Sequence, residues 1–333
     1  MLYKSIYQKN KVLFKIKAVG LVTVLCFTLP AWGEQNRKVN VNQNRCDPIA
    51  KVISRGNRNW PYLKQLCSND LISSAKLIEV FCYLNGTIVT ISNGTVGEGC
   101  SVSADKLRGC NEKNPGDCFK IKGPDEDDLP TIITPYGVAI LNPRPQISWK
   151  SSPIATSYIV QIEGQGVNWS VETKDTHLIY PQDQPALQPG NVYKLNVIAK
   201  QADEPKIADS SVFALVAQAR AEKVRDIIKR LEELNMPQDE LAVDISYVYQ
   251  AENLLNEAIE VLKTRVKAGS QDAKIHRLLG DLYLNVDLPS FAYEAYTNAL
   301  SLAKKQSDKD ELLKAQDGID TVDKNKELNP IAN

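Results

Sequence analysis

The residues able to carry acid–base or nucleophilic chemistry are few and scattered. The chain has two histidines, His177 and His276, and a serine or cysteine nucleophile would need one of them as its base. They fall in different predicted domains. No Gly-x-Ser-x-Gly elbow, His-Glu-x-x-His helix, phosphate-binding loop or dinucleotide fingerprint occurs. We therefore predict a protein that is not an enzyme and has no cofactor. A cell-wall polymer hydrolase stays open as an alternative, because a pair of catalytic carboxylates has no sequence signature.

The cysteines after Cys26 all lie in one early segment of the chain. Their even number in a chain that also carries an export leader favours structural disulfides. A metal site would call for a Cys-x-x-Cys pair or nearby histidines, and the segment has neither. We predict disulfides and no metal site, with the pairing left open. The predicted disulfide cysteines are Cys46, Cys67, Cys82, Cys100, Cys110 and Cys118.

Residues 1–33 have the pattern of a secretory signal peptide. A lysine-rich start is followed by the apolar run Ala18–Leu29 and by Ala31-Trp32-Gly33, a small-x-small cleavage site. The apolar run is too short for a membrane span, which needs about 20 residues. The sequence predicts an exported protein, periplasmic or extracellular, with no membrane segment after signal removal. It has 40 basic and 40 acidic residues, so its formal charge gives no electrostatic reason to bind nucleic acid.

The stretch from Asp239 to Lys304 contains one pattern twice, at an offset of 34 residues. The second copy reads Leu279-Gly-x-x-Tyr283, with alanine and tyrosine following at helical spacing. The aligned pairs are Ser246/Gly280, Tyr249/Tyr283, Ala258/Ala292 and Leu262/Tyr296. This pattern resembles the tetratricopeptide repeat, whose period is about 34 residues. The family pattern has a tryptophan where the copies have Ala242 and His276.

The resemblance implies two antiparallel helices per repeat, with small residues where the helices approach closely and larger ones filling the space between them. It also implies that the first helix of each pair lines a groove for a protein or peptide partner, whose identity stays unknown. Carried onto this sequence, the predicted groove residues are Glu240, Val243, Tyr247, Gln250, Lys274, Arg277, Asp281 and Asn285. Lys274 and Arg277 share a helix face and suit a carboxylate, although Arg277 and Asp281 also fit a simple solvated ion pair.

The flanks of the repeats predict further helices, because two copies alone would leave an apolar face open. The amphipathic run Val212–Leu234 is interpreted as a preceding helix, which gives an array over residues 211–306. Residues 307–333 are predicted to form a polar capping helix and a flexible tail.

The first domain after the leader, residues 34–123, is predicted to be a small β domain. Leu77–Tyr83 and Thr87–Ser92 are strand candidates, and Asn85-Gly86 between them is a strong hairpin signal. The segment from Cys67 through this hairpin is similar to the sheet unit of FecR-type regulatory domains, and no role follows from that similarity. Residues 124–130 are acidic and predict a solvated linker.

Residues 131–205 alternate strand and turn signals. Leu187-x-Pro-Gly190-x-x-Tyr193 resembles the tyrosine corner of fibronectin type III and other immunoglobulin-like sandwiches, in which a tyrosine hydroxyl reaches the backbone just upstream. Trp149 is expected in the core of this β-sandwich. Trp149, Trp169 and Tyr180 are also the candidates for an aromatic platform that would contact a glycan.

The sequence therefore predicts a multidomain α+β protein: a disulfide-tied β domain, a β-sandwich and a helical array like a tetratricopeptide solenoid. The predicted function is that of an exported bacterial adaptor without catalytic activity. The first alternative is a cell-envelope sensor that binds glycan or peptidoglycan through its β domains, and the second is the cell-wall polymer hydrolase.

Overall fold

The computed structural model describes residues 46–54, 59–101, 129–202 and 204–328, without the side chains of residues 326–328. The described residues belong to one compact unit that begins at Cys46. The predicted signal peptide, most of the predicted acidic linker, and Cys110 and Cys118 lie outside the described residues.

A four-stranded antiparallel sheet begins the described chain, and we call it the N-terminal sheet. Its strands lie in the order β2-β1-β3-β4, and the one-turn helix α1 follows β4. The predicted hairpin is confirmed: Cys82 pairs with Thr87 across a turn in which Gly86 has a positive φ of 59°. The elements are β1 (Ala50–Val52), β2 (Gln65–Leu66), β3 (Leu71–Cys82), β4 (Thr87–Thr95) and α1 (Val96–Gly99).

Two disulfides hold the N-terminal sheet. Cys46 is bonded to Cys67, which ties the segment entering β1 to the segment leaving β2. Cys82 is bonded to Cys100, which ties the end of β3 to the end of α1. The four predicted disulfide cysteines that lie within the described residues are therefore all paired.

Eight further strands form two sheets that share one core. The smaller sheet has the order β10-β7-β5, and the larger has the order β6-β12-β11-β8-β9. Ile147 and Trp149 of the smaller sheet pack with Val160, Leu195 and Phe213 of the larger. The strands are β5 (Ile132–Thr134), β6 (Ala139–Ile140), β7 (Gln146–Trp149), β8 (Ser157–Gly164), β9 (Val167–Thr173), β10 (His177–Ile179), β11 (Val192–Gln201) and β12 (Glu204–Leu215).

The tyrosine predicted to mark a strand corner makes the expected contact. The hydroxyl oxygen of Tyr193 lies 2.7 Å from the Gln188 amide, which donates to it. The ring of Tyr193 is buried against Phe213 in the shared core. This contact fixes the loop that precedes β11 to the strand itself.

The interpretation of Val212–Leu234 as one helix was wrong at its start. The structure places Val212 and Leu215 in β12, and the helix begins only at Gln218. Strand β12 pairs along its length with β11, and Phe213 and Leu215 are buried on one face. A short apolar run fits either period, and the pairing with β11 decides for the strand.

Six helices complete the described chain. They are α2 (Gln218–Glu232), α3 (Gln238–Ala251), α4 (Leu255–Lys267), α5 (Ala273–Asn285), α6 (Pro289–Gln306) and α7 (Lys309–Leu328). Local signals set several ends: the Asp272 carboxylate caps α5 by accepting from the Lys274 amide, and Pro289 opens α6.

The repeat in sequence is also a repeat in backbone geometry. The turns between α3 and α4 and between α5 and α6 each contain a residue in the left-handed region, Asn253 at φ 52° and Asp287 at φ 57°. In each turn the next residue donates a backbone hydrogen bond to the carbonyl of a tyrosine. Leu254 donates to Tyr249 at 2.8 Å, and Leu288 donates to Tyr283 at 2.9 Å. The C-terminal region thus contains two helix pairs of one design, which is consistent with a tetratricopeptide pattern.

Tyr296 fills the space that glycine leaves between the helices of the second pair. A Cβ atom on Gly280 of α5 would lie 2.6 Å from the Tyr296 ring, and one on Gly318 of α7 would lie 2.4 Å from it. The Tyr296 hydroxyl donates to Asp281 Oδ1 over 2.8 Å. In the first pair, Ser246 takes the place of Gly280 and Leu262 takes the place of Tyr296. Serine is larger than glycine, and leucine is smaller than tyrosine.

The buried carboxyl of Glu257, on α4, connects the backbone just after β6 to the helices. Glu257 Oε1 accepts from the Leu141 amide at 2.6 Å, while Oε2 is buried without a hydrogen-bond partner in the described part of the chain. Burial raises the pKa of Glu257 from 4.5 to about 7, against the opposing effect of the Leu141 hydrogen bond. Tyr136 of the same region packs with Tyr283 at a ring distance of 6.1 Å.

We predict that Gly280 and Tyr296 are energetically coupled. Gly280→Ser should lower the free energy of unfolding by about 2 kcal/mol, because overpacking outweighs the gain in helix propensity. Combined with Tyr296→Leu, which restores the pair found in the first copy, the loss should be smaller than the sum of the two single losses by about 1 kcal/mol. Urea unfolding of the three variants tests this, and strictly additive losses would contradict it.

The buried carboxyl gives stability a pH dependence of known sign. Because its pKa is higher in the folded state than its ordinary value of 4.5, Glu257 binds a proton more tightly when folded. Its contribution to stability is therefore largest at low pH and declines as the pH rises through 7. Relative to the wild type, Glu257→Gln should gain about 2 kcal/mol between about pH 5 and pH 8.

Urea unfolding at both pH values measures this difference, and all other titrating groups cancel because both proteins contain them. Glu204→Gln is the matched control, since it makes the same substitution at an exposed carboxylate. A Glu257→Gln variant with the same pH dependence as the wild type would show that the carboxyl is already charged in the fold.

Candidate functional site

The eight predicted groove residues lie on the first helix of each pair, four on α3 and four on α5. We call this surface, with the part of α7 that continues it, the helical wall. The continuation is visible in Glu311 of α7, which lies 34 residues after Arg277 and contacts it directly. The fold thus brings the predicted residues onto neighbouring helices, as the repeat spacing requires.

The wall is occupied at α3 by a lysine of the N-terminal sheet. The side chain of Lys51 is 1% exposed, and its Nζ lies 2.5 Å from Glu240 Oε1 and 2.7 Å from Asp244 Oδ2. Asp244 is equally buried. Burial raises the pKa of Asp244 to about 6, and the Lys51 ammonium opposes the rise. One cation buried between two carboxylates joins the sheet to the helix.

Aromatic stacking continues the same contact. The rings of Tyr83 and Tyr247 are stacked at 4.8 Å, and the Lys274 ammonium lies 6.0 Å and 5.6 Å from their centroids. A Cβ atom on Gly86 would lie 2.7 Å from Ala251 Cβ and would clash. The hairpin of the N-terminal sheet therefore rests directly on α3, and only glycine fits at its turn.

Charged residues of α5 and α7 form a network further along the wall. Arg277 Nε donates to Glu311 Oε2 at 2.6 Å, and its Nη1 donates to Asp281 Oδ2 at 2.5 Å. Arg277 and Glu311 are both buried. Lys314 of α7 forms an ion pair with Asp47 of the segment entering the N-terminal sheet. Arg277 and Asp281 therefore form the ion pair expected from the sequence, but Arg277 is buried rather than solvated and also contacts the buried carboxylate of Glu311.

The predicted groove residues differ in what remains accessible. Val243 and Arg277 are buried, and Glu240, Tyr247 and Lys274 contact residues of the N-terminal sheet. Gln250 is half-buried and lies 3.5 Å from the Ser246 hydroxyl. The Asp281 side chain is 43% exposed and Asn285 is exposed. The open part of the predicted surface is therefore its α5 end.

The sequence did not indicate four residues that organise this surface: Lys51, Tyr83, Asp244 and Glu311. The first two lie in a segment predicted to be a separate domain, so no local pattern connects them with the helices. Asp244 had one available signal, since it is a carboxylate on the apolar face of a predicted helix. Such a residue is rarely fully buried without a cationic partner.

The three aromatic residues considered for a glycan platform are core residues. Trp149, Trp169 and Tyr180 are 2%, 5% and 1% exposed. Trp169 donates its indole N–H to the Tyr180 hydroxyl over 3.0 Å, and that hydroxyl donates to the Pro185 carbonyl. Because they are buried, these rings cannot stack on a sugar in this fold. They therefore do not support the glycan-binding alternative.

The remaining candidate groups do not form a cluster. His177 is exposed on β10, whereas His276 lies on α5. Within the described ranges, no group of three histidine, cysteine, aspartate or glutamate side chains is arranged to hold a metal ion. None of the described helices combines the length and apolarity that a bilayer crossing requires.

Comparisons with known proteins give no family assignment. The sequence matches no protein-family model and no curated protein. Among solved structures, PcrH from Pseudomonas aeruginosa is similar over 32% of this chain and 83% of its own, with a TM-score of 0.28 and 15% identity.

PcrH in complex with the chaperone binding region of PopB gives a TM-score of 0.27 at 15% identity, over 30% of this chain and 85% of that one. A T3SS complex from Aeromonas hydrophila gives 0.28 at 16% identity, over 33% and 76%. Likenesses of this size carry no inference about the function of this chain.

We predict that the buried ion cluster responds strongly to loss of its cation. Lys51→Ala should lower the free energy of unfolding by about 3 kcal/mol, because it leaves Asp244 buried without its charge partner. The double variant Lys51→Met with Asp244→Leu should recover most of that loss, since it removes both buried charges at similar volume.

The exposed pair of Lys206 and Glu204 provides the control, and Lys206→Ala should change stability by less than about 0.5 kcal/mol. Chemical unfolding with the disulfides intact measures all three variants. Equal, small effects of Lys51→Ala and Lys206→Ala would mean that the sheet is not anchored through Lys51.

Proposed function

We propose that this chain is an exported, non-catalytic adaptor that binds a protein or peptide partner on its helical wall. The observation that supports this most is that the wall already binds polypeptide within its own chain. It does so through an ion cluster at Lys51, a tyrosine stack at Tyr83 and close backbone approach at Gly86. Charge pairs, aromatic stacking and backbone contact are the interactions that also recognise peptides.

Export is supported by the two disulfides, Cys46–Cys67 and Cys82–Cys100. Disulfides persist in oxidising compartments such as the periplasm and the cell exterior and are rare in the cytosol. The signal-peptide pattern of residues 1–33 leads to the same proposal independently.

The partner is proposed to contact the α5 end of the wall, because the N-terminal sheet covers the α3 end. Asp281 and Asn285 are the accessible groove residues there. Asp281 is already oriented by Arg277 and by the Tyr296 hydroxyl. A carboxylate held in this way loses little side-chain entropy on binding a basic or amide group of a partner.

Site-specific photo-cross-linking in the native cell envelope tests this function. A benzophenone amino acid replaces Asn285 in one variant and Lys174 in a matched control. Lys174 is also exposed but lies in the turn between β9 and β10. We expect one discrete protein adduct from position 285 and none from position 174.

The variant Asp281→Ala combined with the probe at position 285 should reduce the yield of that adduct, because it removes an oriented contact group. The proposal fails if position 285 gives no protein adduct or if both positions give the same adducts, since the α5 end would then not be a specific protein interface.

A further inference from the structure

A cleft separate from the helical wall opens between α4, α5 and α6. Its volume is about 260 Å³. It is lined by Lys263, Val266 and Lys267 of α4, by His276, Leu279 and Tyr283 of α5, and by Phe291, Glu294, Ala295 and Asn298 of α6. His276 stands where the repeat pattern has a tryptophan, and the smaller imidazole fills less of this space.

The lining provided by α5 and α6 includes a group of apolar residues. Leu279, Tyr283 and Ala295 are each nine-tenths or more buried. Phe291 lies at 5.4 Å from the Tyr283 ring and is 40% exposed, so one aromatic face is available at the cleft. An apolar side chain placed there would exchange water for aromatic and aliphatic contact.

The polar residues that line the cleft are basic on α4 and acidic or amide-bearing on α6. Lys263 and Lys267 are one turn apart on α4, and Glu294 and Asn298 are one turn apart on α6. Lys263 is held by Glu260 at 2.6 Å and by the Tyr136 hydroxyl at 3.2 Å. Lys267 is exposed and makes no ion pair with the described residues.

One further polar group lies at the cleft. His276 is 8% exposed, and its Nε2 lies 3.5 Å from the Ser270 carbonyl, at the limit of a hydrogen bond. A buried ring whose one described contact is so long has hydrogen-bonding capacity left for a ligand.

We infer that this cleft binds a single apolar amino-acid residue that carries a free α-carboxylate. The lysines of α4 would take the carboxylate, Glu294 and Asn298 the amino or amide N–H, and the aromatic floor the side chain. The cleft volume of about 260 Å³ lies just below the roughly 300–1,000 Å³ of pockets for drug-sized ligands, so it fits a ligand as small as one residue. A free amino acid and the C-terminal residue of a peptide share this chemistry. This inference does not depend on the proposed adaptor function.

Fluorine NMR on the full chain tests the inference with 4-fluoro-L-phenylalanine as the probe. We expect saturable line broadening, competition by L-phenylalanine or by acetyl-glycyl-phenylalanine, and no competition by phenylalaninamide. Competition by the free amino acid alone would identify that source, whereas stronger competition by the acetylated dipeptide would identify a peptide C-terminus.

Two variants locate the binding. Lys267→Gln should weaken it about fivefold through loss of one exposed charge contact, and Asn298→Trp should abolish it by filling the cleft. Lys229→Gln is the matched control, because Lys229 is an exposed lysine on α2 outside the cleft. The inference is overturned if the probe does not bind, if phenylalaninamide competes as well as phenylalanine, or if neither cleft variant differs from the control.

Discussion

The structure depends on one buried ion cluster, in which Lys51 of the N-terminal sheet lies between Glu240 and Asp244 of α3. Lys51 and Asp244 are 193 residues apart in the chain, so this contact joins two elements that are distant in sequence. Desolvation makes such a cluster a weak source of net stability. Its geometry is demanding, however, and we interpret its role as fixing how the sheet is seated on the helices. The apolar contacts around it are less directional.

The position of the N-terminal sheet limits which part of the helical wall is accessible. A repeat array is usually pictured with an open inner surface, whereas here the α3 end is closed by the hairpin that contains Tyr83 and Gly86. The α5 end, where Asp281 and Asn285 are accessible, carries the proposed partner surface. In the proposed function, the seated sheet would keep α3 fixed while a partner binds beside it, which lowers the ordering cost of association.

Local signals in the sequence were sufficient for much of the fold. Asn85-Gly86 predicted the hairpin because the turn itself needs a left-handed residue, and Leu187 to Tyr193 predicted a hydroxyl contact that spans five residues. The repeat predicted two helix pairs because its aligned small residues, such as Gly280, pack against a side chain of the other helix in the same pair.

Long-range contacts could not be predicted in the same way. Lys51 lies in a three-residue strand, and nothing beside it in the chain indicates a carboxylate partner on a distant helix. Val212 belongs to an apolar run that fits a helix or a strand, and only its pairing with β11 decides. For the candidate site, the sequence located α3 and α5 but could not show that half of the surface is covered.

Native-state hydrogen exchange on the disulfide-intact chain tests most directly whether the N-terminal sheet and the helical wall are one cooperative unit. The account predicts that the amides of β1 and β3 and those of α3 open with the same free energy, and that Lys51→Ala lowers both together. If the sheet amides exchange in a separate, lower-energy opening while α3 stays protected, the sheet is an independent module and the account is contradicted.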